Sequence, residues 1–476
     1  MEERKLELIA DFYEFTMANG YFEKNMNYTA YFDVFFRKIP DDGGYAIFAG
    51  LEQVIDYIKN LKFTPDDIEF LRSKNMFSEG FLDYLANFKF TGDVYAIPEG
   101  TVVFPNEPLI TVKAPIIQAQ LLETALLVIV NHQSLIATKT RRIIHSARNI
   151  PVMEFGARRA HGADAAVYGA RAAIIGGAVG TSCTVSAQKF DVPTSGTMAH
   201  SWIQSFDNEY EAFKAYAEIY PTQCTFLIDT YDTLNSGLPN AIKVFDDILK
   251  PQGIRPIAVR LDSGDLAYLS KEVRKRLDEA GYPDVGVCAT NSLDENLIDS
   301  LFDQGAKINS FGVGENLITA KSDPVFGAVY KLVAIEKEPG NIIPKIKISE
   351  NIVKITNPSF KQIYRFYSKD DNFALADLLV LHDEEVSEGE YTIFDPANTW
   401  KKKVLNNYYV KPLQIKIFEN GNLVYTSPSV KEIAEYSKND LSTFWDEIKR
   451  LYNPHKYYVD LSQKLWDLKQ QLLNNR

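Results

Sequence analysis

The feature that most constrains the fold is a repeated alternation of short apolar segments with amphipathic ones between residues 151 and 314. Helical periodicity is clearest near residues 163–176, 209–218 and 239–249, and in the two segments that end at residues 280 and 304. Strands that alternate with helices at this spacing predict a parallel sheet with helical crossovers, so we expect an α/β fold. The segments that we interpret as strands are VMEFG, GTSCTV, GTMAH, TFLID, IAVRLD, VGVCATN and NSFGVG.

Two of the crossover helices carry boundary signals. Ser292 and Glu295 are spaced as a capping box, and Gly305 stands where that helix would end. Gly281 would end the helix that begins after Asp265. These signals strengthen the prediction of helices between the strands.

The sequence on either side of this alternation predicts further domains. Residues 1–115 contain the strand-like segments TAYFDVFF and GDVYAIPEGTVVF, which indicate a mixed α/β N-terminal domain. Residues 116–149 have a long helical pattern that would open a central α/β domain ending near residue 340. We expect residues 341–395 to return to the N-terminal domain as β structure, and residues 396–476 to form a mostly helical extension.

Composition excludes several classes of partner. A net charge of −12 argues against a general nucleic-acid binder or a binder of anionic membranes. The first 15 residues contain acids where a secretory signal needs an apolar run, and no unbroken apolar stretch approaches a membrane span, so we expect a soluble protein. Cys183, Cys224 and Cys288 are odd in number and far apart, which favours buried free thiols and a cytoplasmic location.

Charged and small residues follow several of the predicted strands. Parallel strands present their carboxyl ends on one face, so we expect Arg158, His200, Asp229, Asp262 and Gly312 to converge there. Arg158 follows the segment VMEF through a glycine, and a fixed positive charge at that place suits a phosphate or a carboxylate. His200 follows the small-residue run 194–197, where backbone N–H groups can approach an anion, so it is a candidate nucleophile or acid/base group.

Each candidate also has a structural interpretation when it is taken alone. His200 could be a core histidine with satisfied hydrogen bonds, and Asp262 could begin a turn or cap a helix. Gly312 and Gly314 could serve a tight turn, and Tyr13 could be a core aromatic of an amphipathic helix. Their predicted convergence on one face favours a functional site.

Eight segments, taken in chain order, resemble the nicotinate phosphoribosyltransferase family of type II phosphoribosyltransferases. This resemblance spans nearly the whole chain and implies a barrel-like, irregular TIM-type central domain. It also implies an enzyme of NAD synthesis that forms nicotinate mononucleotide and diphosphate from nicotinate and 5-phosphoribosyl 1-diphosphate, with coupled ATP hydrolysis. The segments are DFYEFTM, EFGARRAHG, PTSGTMAHS, LIDTYDT, VRLDSGDL, GVGENLIT with VYKLVAI, and NPHKYYVDLS.

The resemblance implies roles for the residues that occupy the family's motif positions. His200 matches the histidine that ATP phosphorylates, and Asp229 matches the carboxylate that orients it. The positions that match nicotinate contacts are Tyr13, Phe155, Thr197 and Arg260. The positions that match contacts to phosphoribosyl diphosphate, Mg²⁺ or the product phosphate are Arg158, Asp262, Gly312 and Gly314.

Two positions depart from what relatives often carry. Relatives that prefer the amide tend to place an aspartate in the loop that corresponds to residues 180–182, and the neutral Ser182 therefore predicts a preference for nicotinate over nicotinamide. Glu315 stands where relatives often carry Thr or Ser, and we leave it outside the predicted site because a carboxylate would repel phosphate. No motif binds metal directly, although Asp262 could reach Mg²⁺ through the bound substrate.

Two alternative functions of the chain, and its assembly as a homodimer, remain as hypotheses. The chain could be a nicotinamide phosphoribosyltransferase, or a non-catalytic sensor of nucleotides or sugar phosphates, although a sensor would be expected to lose His200 or Asp229. In the resembled family a neighbouring subunit caps the barrel. We therefore expect a homodimer with shared active sites, in which Tyr13 stacks on the nicotinate held by the other subunit.

Overall fold

The computed structural model describes residues 6–351, 354–386 and 389–475. The chain forms two compact units, the first made of Met1–Leu135 with Val325–Arg476 and the second of Ile136–Pro324. Residues 396–475 thus belong to the same unit as the N-terminal residues, whereas the sequence predicted a separate extension from residue 396 and boundaries near residues 115 and 340.

The helices and strands are numbered in chain order. The helices are α1 Phe12–Glu23, α2 Leu51–Asn60, α3 Pro65–Arg72, α4 Glu79–Ala86, α5 Ile116–Gln120, α6 Glu123–Ser146, α7 Ala163–Ile175, α8 Thr184–Phe190, α9 His200–Gln204, α10 Glu209–Ile219, α11 Leu238–Val244, α12 Leu266–Glu279, α13 Glu295–Asp303, α14 Glu315–Ile318, α15 Val430–Ser442, α16 Asp446–Lys449 and α17 Gln463–Asn474. The strands are β1 Thr29–Phe35, β2 Ala46–Ile47, β3 Asp93–Ala96, β4 Val102–Val103, β5 Ile110–Pro115, β6 Val152–Glu154, β7 Thr225–Leu227, β8 Ala258–Leu261, β9 Gly286–Ala289, β10 Ser310–Val313, β11 Val329–Glu336, β12 Ile342–Pro344, β13 Lys361–Ser368, β14 Ala374–Leu381, β15 Tyr391–Phe394, β16 Lys402–Leu405, β17 Tyr408–Pro412, β18 Ile415–Glu419, β19 Asn422–Leu423 and β20 Val459–Leu461.

The first unit is built on two larger sheets. One has the strand order β12-β11-β1-β5-β3-β18-β19, and the other has the order β17-β13-β14-β20. Strand β1 lies antiparallel between β11 and β5, and all of its residues except the first are buried, which is the pattern of a strand covered on both faces. Strands from the C-terminal part of the chain complete both sheets, so this part is more β-rich than the mostly helical extension that we expected.

A buried arginine joins several segments of the first unit. The side chain of Arg365 is fully buried, and its Nε and Nη2 donate to the two carboxylate oxygens of Asp377 at 2.8 and 2.7 Å. Nη2 also donates to the Val102 carbonyl oxygen at 2.8 Å, and Nη1 lies 3.4 Å from Asp440 Oδ2. Asp440 in turn accepts from the Val102 N–H at 2.8 Å. Ion pairs therefore connect β13 with β14 and α15, and hydrogen bonds add β4.

The second unit has the irregular, barrel-like arrangement that the resemblance implies. Its parallel strands follow the order β6-β10-β9-β8-β7, and two isolated parallel bridges continue from β6, joining Glu154 to Thr181 and Thr181 to Thr194. These strands and bridged residues therefore succeed one another around the sheet in the order of the sequence. Within the residues that the structure describes, no backbone bridge joins Thr194 to β7, so the ring of strands is open at that place.

Three local predictions in the second unit are wrong. The segment GTSCTV forms only the bridges of Thr181, because the Thr181 hydroxyl accepts from the Cys183 N–H at 2.9 Å and helix α8 begins at Thr184. The segment GTMAH is not a strand, and helix α9 begins at its histidine. Helix α13 is capped by Asp294, which accepts from the Leu297 N–H, because Ser292 has a left-handed φ of 49° and lies outside the helix.

The segment Ile116–Ser146 is more apolar than the sequence analysis anticipated. Its most apolar 18-residue window has a mean hydropathy of 1.3, which is enough for a membrane span by length and composition. Within the protein, 61% of that window is buried, as in the core helix of a globular fold. One such helix is only a weak sign of a membrane span.

Candidate active site

His200 lies at the open part of the ring of strands, at the first residue of α9. Its Nδ1 is 3.1 Å from the Thr230 hydroxyl, and its Nε2 is 3.6 Å from Asp262 Oδ2. The side chain is 40% exposed, so one side of the ring remains accessible to a ligand. The two ring nitrogens therefore face different partners, a hydroxyl group and a carboxylate.

Asp229 lies at the end of β7, but its carboxylate does not contact His200. Its Oδ2 accepts from the Asp262 N–H at 2.8 Å and from the Ser263 hydroxyl at 2.7 Å. Its Oδ1 is buried and has no hydrogen-bond partner among the described residues. The hydrogen bond expected between Asp229 and His200 is thus replaced by the Thr230 contact, because Asp229 turns toward the loop after β8. Among the contacts of the described residues, Asp262 is the link between Asp229 and the histidine.

Arg260 is held by polar groups from three loops. Its Nη1 donates to the Thr197 hydroxyl at 2.8 Å and to the Met198 carbonyl oxygen at 3.3 Å. Its Nη2 donates to Asp262 Oδ1 at 3.0 Å, and its Nε donates to the Thr290 hydroxyl at 3.0 Å. The Arg260 side chain is 14% exposed. A guanidinium fixed in this way offers its remaining N–H edge to an anion without losing much side-chain freedom.

Asp262 connects Arg260 to His200. Burial by itself raises the pKa of this carboxyl, but the Thr290 hydroxyl, the Arg260 guanidinium and His200 act in the opposite direction and leave the pKa below its usual value. Asp262 is therefore ionised at neutral pH. Its Oδ1 is used by Arg260 and Thr290, and its Oδ2 faces the histidine.

Glu154, at the end of β6, organises two loops of the site. It is fully buried, and its carboxylate accepts from the Gly156 N–H and, at 2.6 Å, from the Thr181 hydroxyl. Burial raises the pKa of this carboxyl. Its backbone oxygen accepts from the Ser182 N–H at 2.9 Å, which leaves the side chain of Ser182 exposed. One carboxylate thus ties the loop after β6 to the loop at residues 180–182.

Gly312 lies under the ring of Phe155. A β-carbon at Gly312 would come within 2.4 Å of the Phe155 ring and 2.7 Å of the Thr290 methyl group, so a larger residue would displace the ring. Gly314 follows β10, and a β-carbon there would lie 3.3 Å from the Phe155 carbonyl oxygen. The glycines of this segment therefore leave room for Phe155, whose ring is partly exposed.

Two arginines lie on a short helical turn, Ala157–Arg159, that follows Phe155. Both are exposed, and among the described contacts Arg158 makes no ion pair with the other predicted site residues. Glu315 accepts from Lys321 Nζ at 2.8 Å and lies 3.9 Å from Arg159 Nε. The lysine lowers the pKa of Glu315, so this carboxylate is ionised and matched by positive charge.

Tyr13 belongs to the first unit. It lies in α1, and 44% of its surface is exposed, as is 43% of the adjacent Phe12 and 39% of Met17. The interpretation of Tyr13 as a core aromatic is therefore wrong. Its role in stacking on nicotinate stays a prediction.

The structure brings together several predicted residues and three that the sequence analysis missed. Contacts within the second unit link Thr197, His200, Asp229, Arg260 and Asp262, and a second set links Phe155 with Gly312. The residues that we missed are Thr230, Thr290 and Glu154. Glu154 ends β6, Thr290 directly follows β9, and Thr230 lies three residues after β7, so their position near strand ends was the signal that could have found them.

Family models cover most of the chain. Residues 8–131 match the nicotinate phosphoribosyltransferase (NAPRTase) N-terminal domain, residues 150–366 match the NAPRTase family, and residues 360–469 match the NAPRTase C-terminal domain. The fold is shared with solved structures. A crystal structure of human nicotinic acid phosphoribosyltransferase superposes with a TM-score of 0.84 and 28% identity, covering 98% of this chain and 100% of the human chain. The nicotinate-nucleotide pyrophosphorylase from Pyrococcus furiosus gives a TM-score of 0.71 and 25% identity, with 93% and 98% coverage.

Curated sequence relatives are also nicotinate phosphoribosyltransferases, and their identity to this chain is higher. The nicotinate phosphoribosyltransferase of Bacillus subtilis is 47% identical over 475 residues, which are 99% of this chain and 96% of the relative. The nicotinate phosphoribosyltransferase of Caenorhabditis elegans is 33% identical, with 96% and 92% coverage. The chain has the fold of an enzyme that handles pyridine nucleotides. It belongs to the nicotinate phosphoribosyltransferase family.

Proposed function

We propose that this enzyme forms nicotinate mononucleotide and diphosphate from nicotinate and 5-phosphoribosyl 1-diphosphate in NAD synthesis, and that it couples this reaction to ATP hydrolysis through phosphorylated His200. The observation that carries the proposal is the fixed Arg260 beside the Asp262 and His200 pair, at the carboxyl ends of the strands. This arrangement offers a cation to a carboxylate substrate and a nucleophile to ATP within one site. Free thiols at the three cysteines support a cytoplasmic location.

Nicotinate would bind between the ring of Phe155 and the guanidinium of Arg260. The partly exposed Phe155 ring suits stacking on a pyridine, and Thr197 and Asp262 hold the guanidinium for the carboxylate. The exposed arginine turn with Arg158 suits the phosphates of the sugar substrate. As the bond from the anomeric carbon to diphosphate breaks, the ring nitrogen of nicotinate attacks that carbon, and the diphosphate leaves with the bonding electrons.

Mg²⁺ would enter with the diphosphate rather than bind to a protein cluster. Among the described residues there is no group of three or more metal-ligating side chains. The acceptors present, the unpaired Asp229 Oδ1 and the Asp262 Oδ2 that faces His200, suit a hard cation with most of its other ligands from substrate and water. Bound there, Mg²⁺ would neutralise the charge that develops on the leaving group.

We propose that His200 attacks ATP in the tautomer that carries its proton on Nε2. The Asp262 carboxylate near Nε2 favours a proton on that nitrogen, which leaves the lone pair of Nδ1 for the γ-phosphate of ATP. The Thr230 hydroxyl, 3.1 Å from Nδ1, can turn its hydrogen to this lone pair before the reaction. Asp229 would act indirectly by holding the loop that carries Asp262.

The direct test measures product and label in the same preparation. Purified protein with nicotinate, 5-phosphoribosyl 1-diphosphate, Mg²⁺ and ATP should release diphosphate and nicotinate mononucleotide in equal amounts, and [γ-³²P]ATP should label the protein. His200→Ala should lose the label and the nicotinate-dependent ATP hydrolysis. His455→Ala, a change at an exposed histidine of the first unit, should keep both. Undiminished labelling of His200→Ala would contradict the phosphohistidine, and a wild type that forms no product would support the sensor hypothesis instead.

We also propose a homodimer in which Tyr13 of one subunit completes the site of the other. The exposed Phe12, Tyr13 and Met17 on α1 support such a contact, because these large apolar side chains lie close together on one helix. Inactive Tyr13→Ala and His200→Ala proteins should regain activity when they are mixed, since a heterodimer has one site without either defect. No recovery after verified subunit exchange would place Tyr13 in the site of its own chain.

A further inference from the structure

Thr290 is a buried threonine directly after β9 that has no part in the mechanism above. Only 3% of its surface is exposed, and its hydroxyl forms hydrogen bonds with both Arg260 and Asp262. It accepts from Arg260 Nε at 3.0 Å and donates to Asp262 Oδ1. Thr290 is therefore in contact with both charged groups of the site.

The hydrogen-bonding roles of this hydroxyl are fixed by its neighbours. A guanidinium can only donate and an ionised carboxylate can only accept, so the hydroxyl must accept from Arg260 and give its one hydrogen to Asp262. The Leu261 carbonyl oxygen, 3.2 Å away, is a more distant acceptor for the same hydrogen. The hydroxyl thus defines the positions of Arg260 Nε and Asp262 Oδ1 relative to each other.

The methyl group of Thr290 has a separate contact. It points toward β10, where a β-carbon on Gly312 would lie 2.7 Å from it, and Gly312 lies under the Phe155 ring. The hydroxyl therefore contacts the charged residues Arg260 and Asp262. The methyl group fills space beside Gly312. These two contacts can be removed separately by substitution.

We propose that Thr290 is a positioning residue that sets the preference for a pyridine bearing a carboxylate over one bearing a neutral amide. By holding Nε, the hydroxyl turns the guanidinium of Arg260 so that the Nη2 N–H group not used by Asp262 faces the substrate. The binding of a substrate carboxylate depends on that orientation more than the binding of an amide does. A carboxylate forms a charge-assisted hydrogen bond with the guanidinium, which is stronger than the hydrogen bond of a neutral amide. The proposal rests on the proposed function for the identity of the ligand that Arg260 binds.

The test compares Thr290→Val with Thr290→Ser. Valine keeps the shape and removes the hydroxyl, whereas serine keeps the hydroxyl and removes the methyl group. Thr290→Val leaves Arg260 Nε without its partner, so the KM for nicotinate should rise about 10-fold or more, whereas kcat and the KM for nicotinamide should change less than about 3-fold. Thr290→Ser should stay within about 3-fold of the wild type in all of these constants.

Three results would overturn the proposal. One is a Thr290→Val enzyme with the acid-to-amide preference of the wild type. Another is an equal loss in both variants together with a lower melting temperature, which would show a structural role only. The third is a crystal structure of Thr290→Val in which the Arg260 guanidinium has not moved. That structure also separates the two proposals, because it tests the positioning even if the wild type forms no nicotinate mononucleotide.

Discussion

The two units each contain an arginine paired with an aspartate, and the two pairs differ in exposure. Arg365 and Asp377 in the first unit are fully buried, and the two N–H···O bonds between them are bidentate. Arg260 and Asp262 in the second unit share one hydrogen bond, and their side chains are 14% and 26% exposed. We call Arg365 with Asp377 the closed pair, and Arg260 with Asp262 the open pair.

This difference separates a structural ion pair from a binding site. A buried pair is stable only when its charges have partners, and Arg365 satisfies this condition through Asp377, Asp440 and the Val102 carbonyl oxygen. The side chains of Arg260 and Asp262 are both partly exposed, so a ligand can still reach them. Arg365 should matter for folding, and Arg260 should matter for activity.

The largest expected effect is on the closed pair. Arg365→Met leaves Asp377 and Asp440 as buried carboxylates without their cation, so the free energy of unfolding should fall by about 3–5 kcal/mol. The measurement is urea unfolding followed by circular dichroism. Arg72→Met, which removes exposed ion pairs with Glu69 and Glu79 in the same unit, should leave that free energy close to the wild-type value. Equal effects of the two substitutions would show that burial does not decide the role of the pair.

The matching change at the open pair should affect catalysis rather than folding. Arg260→Met should lower kcat/KM for nicotinate by about 100-fold, because a charge-assisted contact to the substrate is lost. Its melting temperature should stay close to that of the wild type, since solvent can hydrate the partly exposed Asp262. A melting temperature lowered as far as in Arg365→Met would remove the distinction between the two pairs.

A smaller effect is expected at Asp229, whose carboxylate holds the loop that carries Asp262 of the open pair. Asp229→Asn keeps the size of the side chain but weakens the two hydrogen bonds to the loop of Asp262 and Ser263. We expect kcat to fall about 10-fold, with nicotinate binding little changed. Asp232→Asn is the matched control, because Asp232 is exposed and only caps a turn, a role that asparagine also fills. A loss of 10³-fold or more at Asp229 would contradict this supporting role.

The smallest expected effect is a pH dependence of stability in the first unit. Burial raises the pKa of Glu14 from 4.5 to about 7, although hydrogen bonds from Thr124 and Asp11 act in the opposite direction. The folded state thus holds this proton more tightly than the unfolded state, so the stability that Glu14 contributes is present below pH 4.5 and is lost as pH rises through 7. Glu14→Gln should flatten this dependence in unfolding experiments from pH 4.5 to 7.5, and an unchanged dependence would contradict it.

Much of the open site could be predicted from the sequence, because the strand ends are visible in it. Asp229 and Asp262 follow runs of buried apolar residues, and parallel strands bring such positions together. The motif resemblance added His200 and Thr197. The contacts of Thr290 could not be predicted, because they depend on the register in which Arg260 lies opposite Cys288 and Leu261 opposite Ala289. A threonine after a strand is also an ordinary β-forming residue.

The closed pair was not predicted at all. Arg365 lies in a strand whose neighbours in space come from distant parts of the chain, β4 and α15 among them. Sequence periodicity indicates which face of a strand is buried, but it does not identify the segment that packs against that face. For the same reason, strands β16 to β20 were not predicted within residues 396–476, which we expected to be mostly helical.

The substrate preference of the wild-type enzyme tests the central claim most directly, namely that the open pair binds a substrate carboxylate. Purified protein is assayed for diphosphate release with nicotinate and with nicotinamide under the same conditions, with Arg260→Met as the control. We predict a kcat/KM for nicotinate at least about 100-fold higher than for nicotinamide, and a preference that largely disappears in Arg260→Met. Comparable values of kcat/KM for the two substrates in the wild type would contradict the account.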